Sequence, residues 1–282
     1  MEEPAFRAPP LACDAHFHVF GAAGRYPARD PKLRYKPPYA PLDDYLAWAE
    51  KTGFERFVFV QPSAYMRDNS CMLDAMRATP GSRGIVDVDE DAPDAELDAM
   101  HKVGVRGVRV NVSPIHPHEP GLAKKLLPRI EKLDERLSRR GWHLDFLLPG
   151  WLTDELLHKI SRLKSECTLA HMGMFLAKDG VQQPGFQRLL QLLRNGKGRV
   201  WVKLTGVYRM SAAPGFADVA PLARALIEAA PERVIWGSDY PHLSFADQVG
   251  SVELWNLLGS WTPDEATRRR ILVDNPQALF GF

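Results

Sequence analysis

Short β-rich runs alternate with helical segments along the whole chain, and that alternation constrains the fold more than any other feature. The runs are Leu11–His16, Arg56–Gln61, Gly84–Val88, Gly107–Asn111, Trp142–Leu147, Cys167–His171, Arg199–Leu204 and Arg233–Asp239. Their starts recur about every 32 residues, the size of a strand–helix–strand unit. Several are apolar on both faces, such as FVFVQ (Phe57–Gln61) and GVRVN (Gly107–Asn111), as strands covered on both sides must be. Between them lie helix signals. Pro41-Leu42-Asp43-Asp44 opens an amphipathic stretch that Gly53 closes, and Asp94 opens DAELDAMHKVG, with Leu97, Met100 and Val103 on one face and a stop at Gly104. Thr262-Pro263-Asp264-Glu265 reads as a capping box with proline at the first helical position. Eight alternations predict an α/β fold, a closed (β/α)8 TIM barrel formed as a single domain over residues 1–282, rather than an open doubly wound sheet.

The 282 residues are 45% hydrophobic, enough for a large core, and no linker or internal repeat divides them. Charged residues make up 25% and the net charge is +1, which argues against general disorder and gives no electrostatic reason for a nucleic-acid or anionic-membrane partner. Cys13, Cys71 and Cys167 form no C-x-x-C pair, which disfavours both disulfides and thiolate zinc sites. No signal peptide is legible, and no apolar run reaches the roughly 20 residues needed to span a bilayer. The expectation is a cytoplasmic protein with a small-molecule partner, no nucleic acid and no membrane; a homo-oligomer is compatible with it. Neither a GxGxxG nor a Walker pattern follows the first strand. The irregular stretch Gly21–Ala40 follows that strand and reads equally as a substrate lid or as surface decoration.

Chemistry concentrates at strand ends. In Asp14-Ala15-His16-Phe17-His18 the two histidines are two apart on a strand and so converge on one face, where they can hold a metal or polarise an oxygen. His171 ends the sixth run, and Asp239 ends the eighth within Trp236-Gly237-Ser238-Asp239-Tyr240-Pro241-His242. In a (β/α)8 barrel the C-terminal strand ends carry the active site, so three imidazoles and a carboxylate are expected there together.

Through an ordered set of motifs the chain resembles the amidohydrolase superfamily, in the branch of 2-pyrone-4,6-dicarboxylate lactonase, D-galactarolactone isomerase and sulfomuconolactone hydrolase. The motifs are DAHFHVFG (Asp14–Gly21), RYKPPYAP (Arg34–Pro41), VQPSAYMRDN (Val60–Asn69), GVRGVRVN (Gly104–Asn111), HMG (His171–Gly173), RVIWGSDYPH (Arg233–His242) and VDNPQALF (Val273–Phe280). The resemblance implies that His16, His18, His171 and Asp239 are catalytic. It also implies that Tyr35, Ser63, Asp68, Asn69, Arg109 and Asn111 lie around the substrate, and Lys203, Tyr208 and His242 are further candidates for substrate binding. The chain departs from the dicarboxylate lactonase pattern at Met174, where that enzyme has arginine, and at Ala64-Tyr65-Met66, where it has Cys-His-Gly. KLTGVYRMS (Lys203–Ser211) is closer to the galactarolactone isomerase segment.

The expected activity is hydrolysis of a lactone or related cyclic ester that carries a carboxylate. Asp239 would activate water, His16, His18 and His171 would polarise the carbonyl, and Arg109, with Lys203, would hold the carboxylate. The alternatives are lactone isomerisation by the same acyl chemistry and a non-catalytic binding barrel. No metal is expected to be required, because the fifth run ends in Phe146-Leu147-Leu148-Pro149, where one-metal superfamily members commonly place a histidine. If a divalent ion, zinc, binds, its ligands are His16, His18, His171 and Asp239. His101 and His158 read as solvated helix residues, His143 as a residue of the opposite barrel end, and His116 and His118 as solvated loop residues.

Overall fold

In a computed structural model describing residues 3–33, 35–196, 199–262 and 264–282, each expected strand forms. They are β1 (Cys13–Phe17), β2 (Arg56–Val60), β3 (Arg83–Val86), β4 (Val105–Asn111), β5 (His143–Leu147), β6 (Cys167–Leu169), β7 (Val200–Leu204) and β8 (Val234–Trp236). They lie in one eight-stranded sheet in chain order, the topology of a (β/α)8 barrel. The paired strands β1–β2, β2–β3, β3–β4, β5–β6 and β6–β7 are parallel. The sixth and eighth runs stop short of their expected ends. His171 and Asp239 have φ of 50° and 55°, a left-handed backbone that cannot continue a strand ladder.

Contacts divide the chain into two compact units, Met1–Arg109 with Trp236–Phe282, and Val110–Ile235. In the first, α1 (Leu42–Thr52) ends at Gly53 and α3 (Asp94–Val103) at Gly104, both left-handed as a helix-terminating glycine allows. A Cβ on Gly104 would sit 2.5 Å from the Ser82 carbonyl oxygen, so the position also demands glycine for space. The buried face of α1 presents Tyr45 and Ala49. Tyr45 stacks on Phe17 of β1 with ring centroids 3.6 Å apart, and Phe54, Trp236 and Trp255 form a second aromatic group. Each such ring pair adds about 0.5–1.5 kcal/mol beyond the area it buries.

The expected capping box is displaced. The helix Glu265–Arg269 is capped by Asp264, whose carboxylate accepts from the Thr267 N–H at 2.8 Å. Thr262 instead bonds back to the Leu258 carbonyl at the end of the preceding helix, Ser251–Trp261. The proline read at the first helical position, Pro263, lies outside the described residues, as does Arg34 of the RYKPPYAP motif.

Gly21–Ala40 is closed at its base by an antiparallel bridge between Phe20 and Ala40. It is tied down by Arg29 and Arg25, paired at 3.0 and 2.8 Å with Asp68 and Asp74 around α2 (Ser70–Ala78).

In the second unit, α4 (Leu122–Ser138), α5 (Gly150–Ile160), α6 (Pro184–Arg194) and α7 (Ala220–Ala229) follow or precede β5, β6 and β7. Its core holds Leu133, Leu137, Trp142, Leu144, Phe146, Leu156, Phe186 and Leu189. Among the described residues no helix is long and apolar enough to cross a membrane.

Candidate active site

β1 carries one extra residue against β2 between Asp14 and Phe17, a bulge. The bulge re-aims the side chains. Asp14 and Phe17 both meet Tyr45 on α1, Asp14 through a 3.0 Å bond from the Tyr45 hydroxyl. His16 and His18 converge on Asp239, whose Oδ1 lies 3.5 Å from His16 Nε2 and 3.4 Å from His18 Nε2. All three are buried.

Asp239 reaches this place because the segment after β8 runs beside β1. The Asp239 N–H donates to the His16 carbonyl, and the His18 N–H to the Tyr240 carbonyl, both at 2.8 Å. Gly237 permits the approach: a Cβ there would lie 2.6 Å from His16 Cβ and 2.7 Å from its nitrogen.

His18 Nδ1 is 2.8 Å from the Val60 carbonyl oxygen. A carbonyl only accepts, so Nδ1 carries the hydrogen and the neutral ring presents a lone pair at Nε2. Burial lowers the His18 pKa, opposed by Asp239 and assisted by Arg109. A neutral His18 therefore sets a lone pair against a carboxylate oxygen, an arrangement that suits a proton or a cation between them.

Arg109 is buried on β4 and donates to the Gln61 carbonyl at 3.1 Å. Tyr35 and Ser63 meet hydroxyl to hydroxyl at 3.3 Å. Asp68 is occupied by Arg29 and by Ser70 at the start of α2. Asn69 bonds through its amide to the backbone of Asp87 and Arg67. His242 is buried, with Nε2 2.9 Å from the Ser251 hydroxyl.

In the second unit His171 is buried, with Nδ1 2.7 Å from the Thr205 hydroxyl, which also accepts the His171 N–H. Gly206 makes room for the ring: a Cβ there would lie 2.4 Å from His171 Nδ1. Lys203 is fully buried, its Nζ 2.7 Å from Asp145 Oδ1, and Thr168 donates to the same oxygen at 2.6 Å. Three neighbouring strands thus contribute one cluster. Asn111 ends β4 half-buried, and Tyr208 is buried beneath the Arg209 guanidinium, 5.2 Å from its ring centroid. His143 opens β5 and is buried, and His101 and His158 are exposed on helices. His116 and His118 are paired with Glu119 and Glu155 at 3.7 and 3.2 Å.

Reading the sequence for site residues passed over Asp14, Gln61, Thr205 and Asp145. Asp14 had a signal, an acid at the head of D-x-H-x-H, but strict alternation puts it on the histidine face, and only the bulge shows otherwise. Gln61 acts through its backbone carbonyl, and Thr205 and Asp145 through partners distant in sequence, so no local pattern marks them.

The resemblance implies a divalent ion for some relatives. Two imidazole nitrogens and a carboxylate oxygen of the first unit are donors of the kind such an ion takes, and the His18 tautomer is fixed from behind by a carbonyl, as is usual for a metal-bound imidazole.

The family model described as amidohydrolase matches residues 13–282. A 4-sulfomuconolactone hydrolase of Hydrogenophaga intermedia is 36% identical over 98% of this chain and 90% of its own length. A D-galactarolactone isomerase of Agrobacterium fabrum is 29% identical over 98% of this chain and 92% of its own. A crystal structure of a probable 2-pyrone-4,6-dicarboxylic acid hydrolase of Acinetobacter baumannii, with citric acid bound, superposes with a TM-score of 0.84 at 25% identity, covering 96% of this chain and 100% of that one.

Proposed function

The chain belongs to the amidohydrolase family, and we propose that it is a cytoplasmic hydrolase that opens a small lactone bearing a carboxylate or similar anionic group. The observation that carries this reading is the convergence of His16 and His18 on the buried carboxylate of Asp239. Relatives that act on lactones support it.

Asp239 takes a proton from water as the water oxygen bonds to the lactone carbonyl carbon. The tetrahedral oxyanion then collapses, the ring C–O bond breaks, and Asp239 returns its proton to the departing ring oxygen. His16 would stabilise the developing oxyanion, with His18 and His171 as further candidates for that role. His18 donates to it only as the doubly protonated ring, since the neutral ring spends its N–H on Val60. Arg109, held through one N–H by Gln61, offers further donors to the anionic group of the substrate.

The His18 lone pair set against Asp239 favours a second form of the same reading, in which His16, His18, Asp239 and His171 hold a divalent ion. Such an ion supplies Lewis acidity at the carbonyl. Where a substrate hydroxyl replaces water as nucleophile, the same residues isomerise the lactone.

The test is incubation with 4-sulfomuconolactone, 2-pyrone-4,6-dicarboxylate and D-galactarolactone, with and without added zinc, and products identified by NMR. Ring-opened acid is the expected product. A shifted lactone ring points to isomerisation, and no turnover of any lactone refutes both.

A further inference from the structure

We propose that Asp14 is a positioning residue: its carboxylate holds the turn after β8 against the bulge of β1 and so sets where Asp239 meets His16 and His18. Asp14 is fully buried and accepts from neutral donors, the Ser238 hydroxyl among them. Oδ1 takes the N–H of His16 at 3.1 Å and of Ser238 at 3.0 Å, and Oδ2 takes the Tyr45 hydroxyl at 3.0 Å. One carboxylate therefore ties together the residue at the bulge, the residue immediately before Asp239, and the helix α1 packed behind the strand.

The turn needs such a tie. Asp239 has φ of 55°, which a non-glycine residue keeps only where its surroundings over-determine it. Backbone bonds from Asp239 to His16 and from His242 to Asp239, and the bond from the Tyr240 N–H to Ser238 Oγ, fix its later part. The bond from Ser238 to Asp14 fixes its entry. Gly237 lets the two backbones close to contact, so any slackening at Ser238 passes to Asp239. Displacement of a reacting group by about 1 Å costs on the order of a hundredfold in rate.

Position and charge are separable here. In Asp14→Asn, Oδ1 still accepts both N–H groups, and Nδ2 turns its hydrogen to the Tyr45 oxygen, which accepts as well as it donates. In Asp14→Ala, both N–H groups lose their acceptor.

The kinetic arm of the experiment rests on the proposed lactonase activity; the exchange arm does not. Asp14→Asn and Asp14→Ala are compared with wild type for kcat and KM on 4-sulfomuconolactone, or on whichever lactone the wild type opens, and for amide hydrogen exchange in peptides spanning residues 237–242. For the Asn variant we expect kcat within about threefold of wild type; for the Ala variant, kcat at least about thirtyfold lower per folded protein, with KM little changed. Exchange over 237–242 and at the His16 amide should quicken in Ala alone, with peptides remote from Asp14 unchanged. An Ala variant with wild-type turnover overturns the proposal, and so does an Asn variant that falls as far as Ala. Should Ala fail to fold, Asn decides: turnover near wild type supports the proposal, and a loss beyond about tenfold overturns it. Should the wild type open no lactone, the functional reading fails while exchange still judges Asp14: quickened exchange over 237–242 in Ala but not in Asn supports the proposal, and unchanged exchange in Ala overturns it.

Discussion

Lys203→Met tests the role of the buried cluster on β5, β6 and β7. Lys203 and Asp145 have no exposed surface and meet at 2.7 Å, and Thr168 donates to the same carboxylate oxygen. Methionine fills much of the lysine volume but leaves the Asp145 charge buried without its cation. Removing one partner of a buried pair costs about 3–5 kcal/mol, because the surviving charge has lost its compensation. The double variant Lys203→Met with Asp145→Asn removes that charge and leaves an amide that Thr168 can still serve. Its total cost should be smaller than that of Lys203→Met alone, giving a coupling energy of at least about 2 kcal/mol. Urea unfolding of wild type, both single variants and the double variant, followed by circular dichroism, measures the cycle. The reasoning is refuted if Lys203→Met lies within about 1 kcal/mol of wild type, or if the two single effects simply add. The same variant separates two roles for the lysine. As a residue committed to Asp145 it should leave KM unchanged in folded protein, whereas a lysine that holds the substrate carboxylate would raise KM on replacement.

Gly206→Ala places a Cβ within 2.4 Å of His171 Nδ1 at a left-handed position, so it should displace the imidazole, cost about 1–3 kcal/mol in urea unfolding and lower kcat. Arg109→Met should raise KM for anionic lactones and leave an uncharged lactone little affected, which steady-state kinetics on both substrates would show. Burial pushes the Asp14 carboxyl from 3.8 up to about 6, so the folded state resists its ionisation, and the group opposes folding by up to about 3 kcal/mol above that pH. Asp14→Asn should therefore be the more stable protein at pH 7.5 after dialysis against chelator, with the advantage fading as pH falls through 6 towards 4. Equal unfolding midpoints at pH 7.5 would count against the buried charge.

The fold was legible because strand and helix periods differ and the chain repeats them regularly. FVFVQ and GVRVN read as covered strands and became β2 and β4. The glycine stops at Gly53 and Gly104 were legible because a left-handed helix end favours that residue. Strand ends were less so: His171 and Asp239 are not glycine, and their left-handed backbones are imposed by hydrogen bonds from elsewhere, such as that from Asp239 to His16. The cap is Asp264, two residues beyond the Thr262 that the sequence predicts, since threonine and aspartate both suit the position and only the bond to Thr267 decides. Within the site, the H-x-H pair and Asp239 could be read from strand position. The engagement of Asp68 with Arg29, of Asn69 with Asp87 and of Lys203 with Asp145 could not, because each pairing is made in three dimensions between distant segments.

The central claim is that Asp239 is the base that moves the proton in lactone opening. Asp239→Asn keeps the size of the side chain and removes the carboxylate that His16 and His18 face. Single-turnover hydrolysis of the lactone the wild type opens, on folded protein of matched metal content, measures the consequence. The account predicts a rate at least about a hundredfold below wild type; a rate within a few-fold of wild type would contradict it.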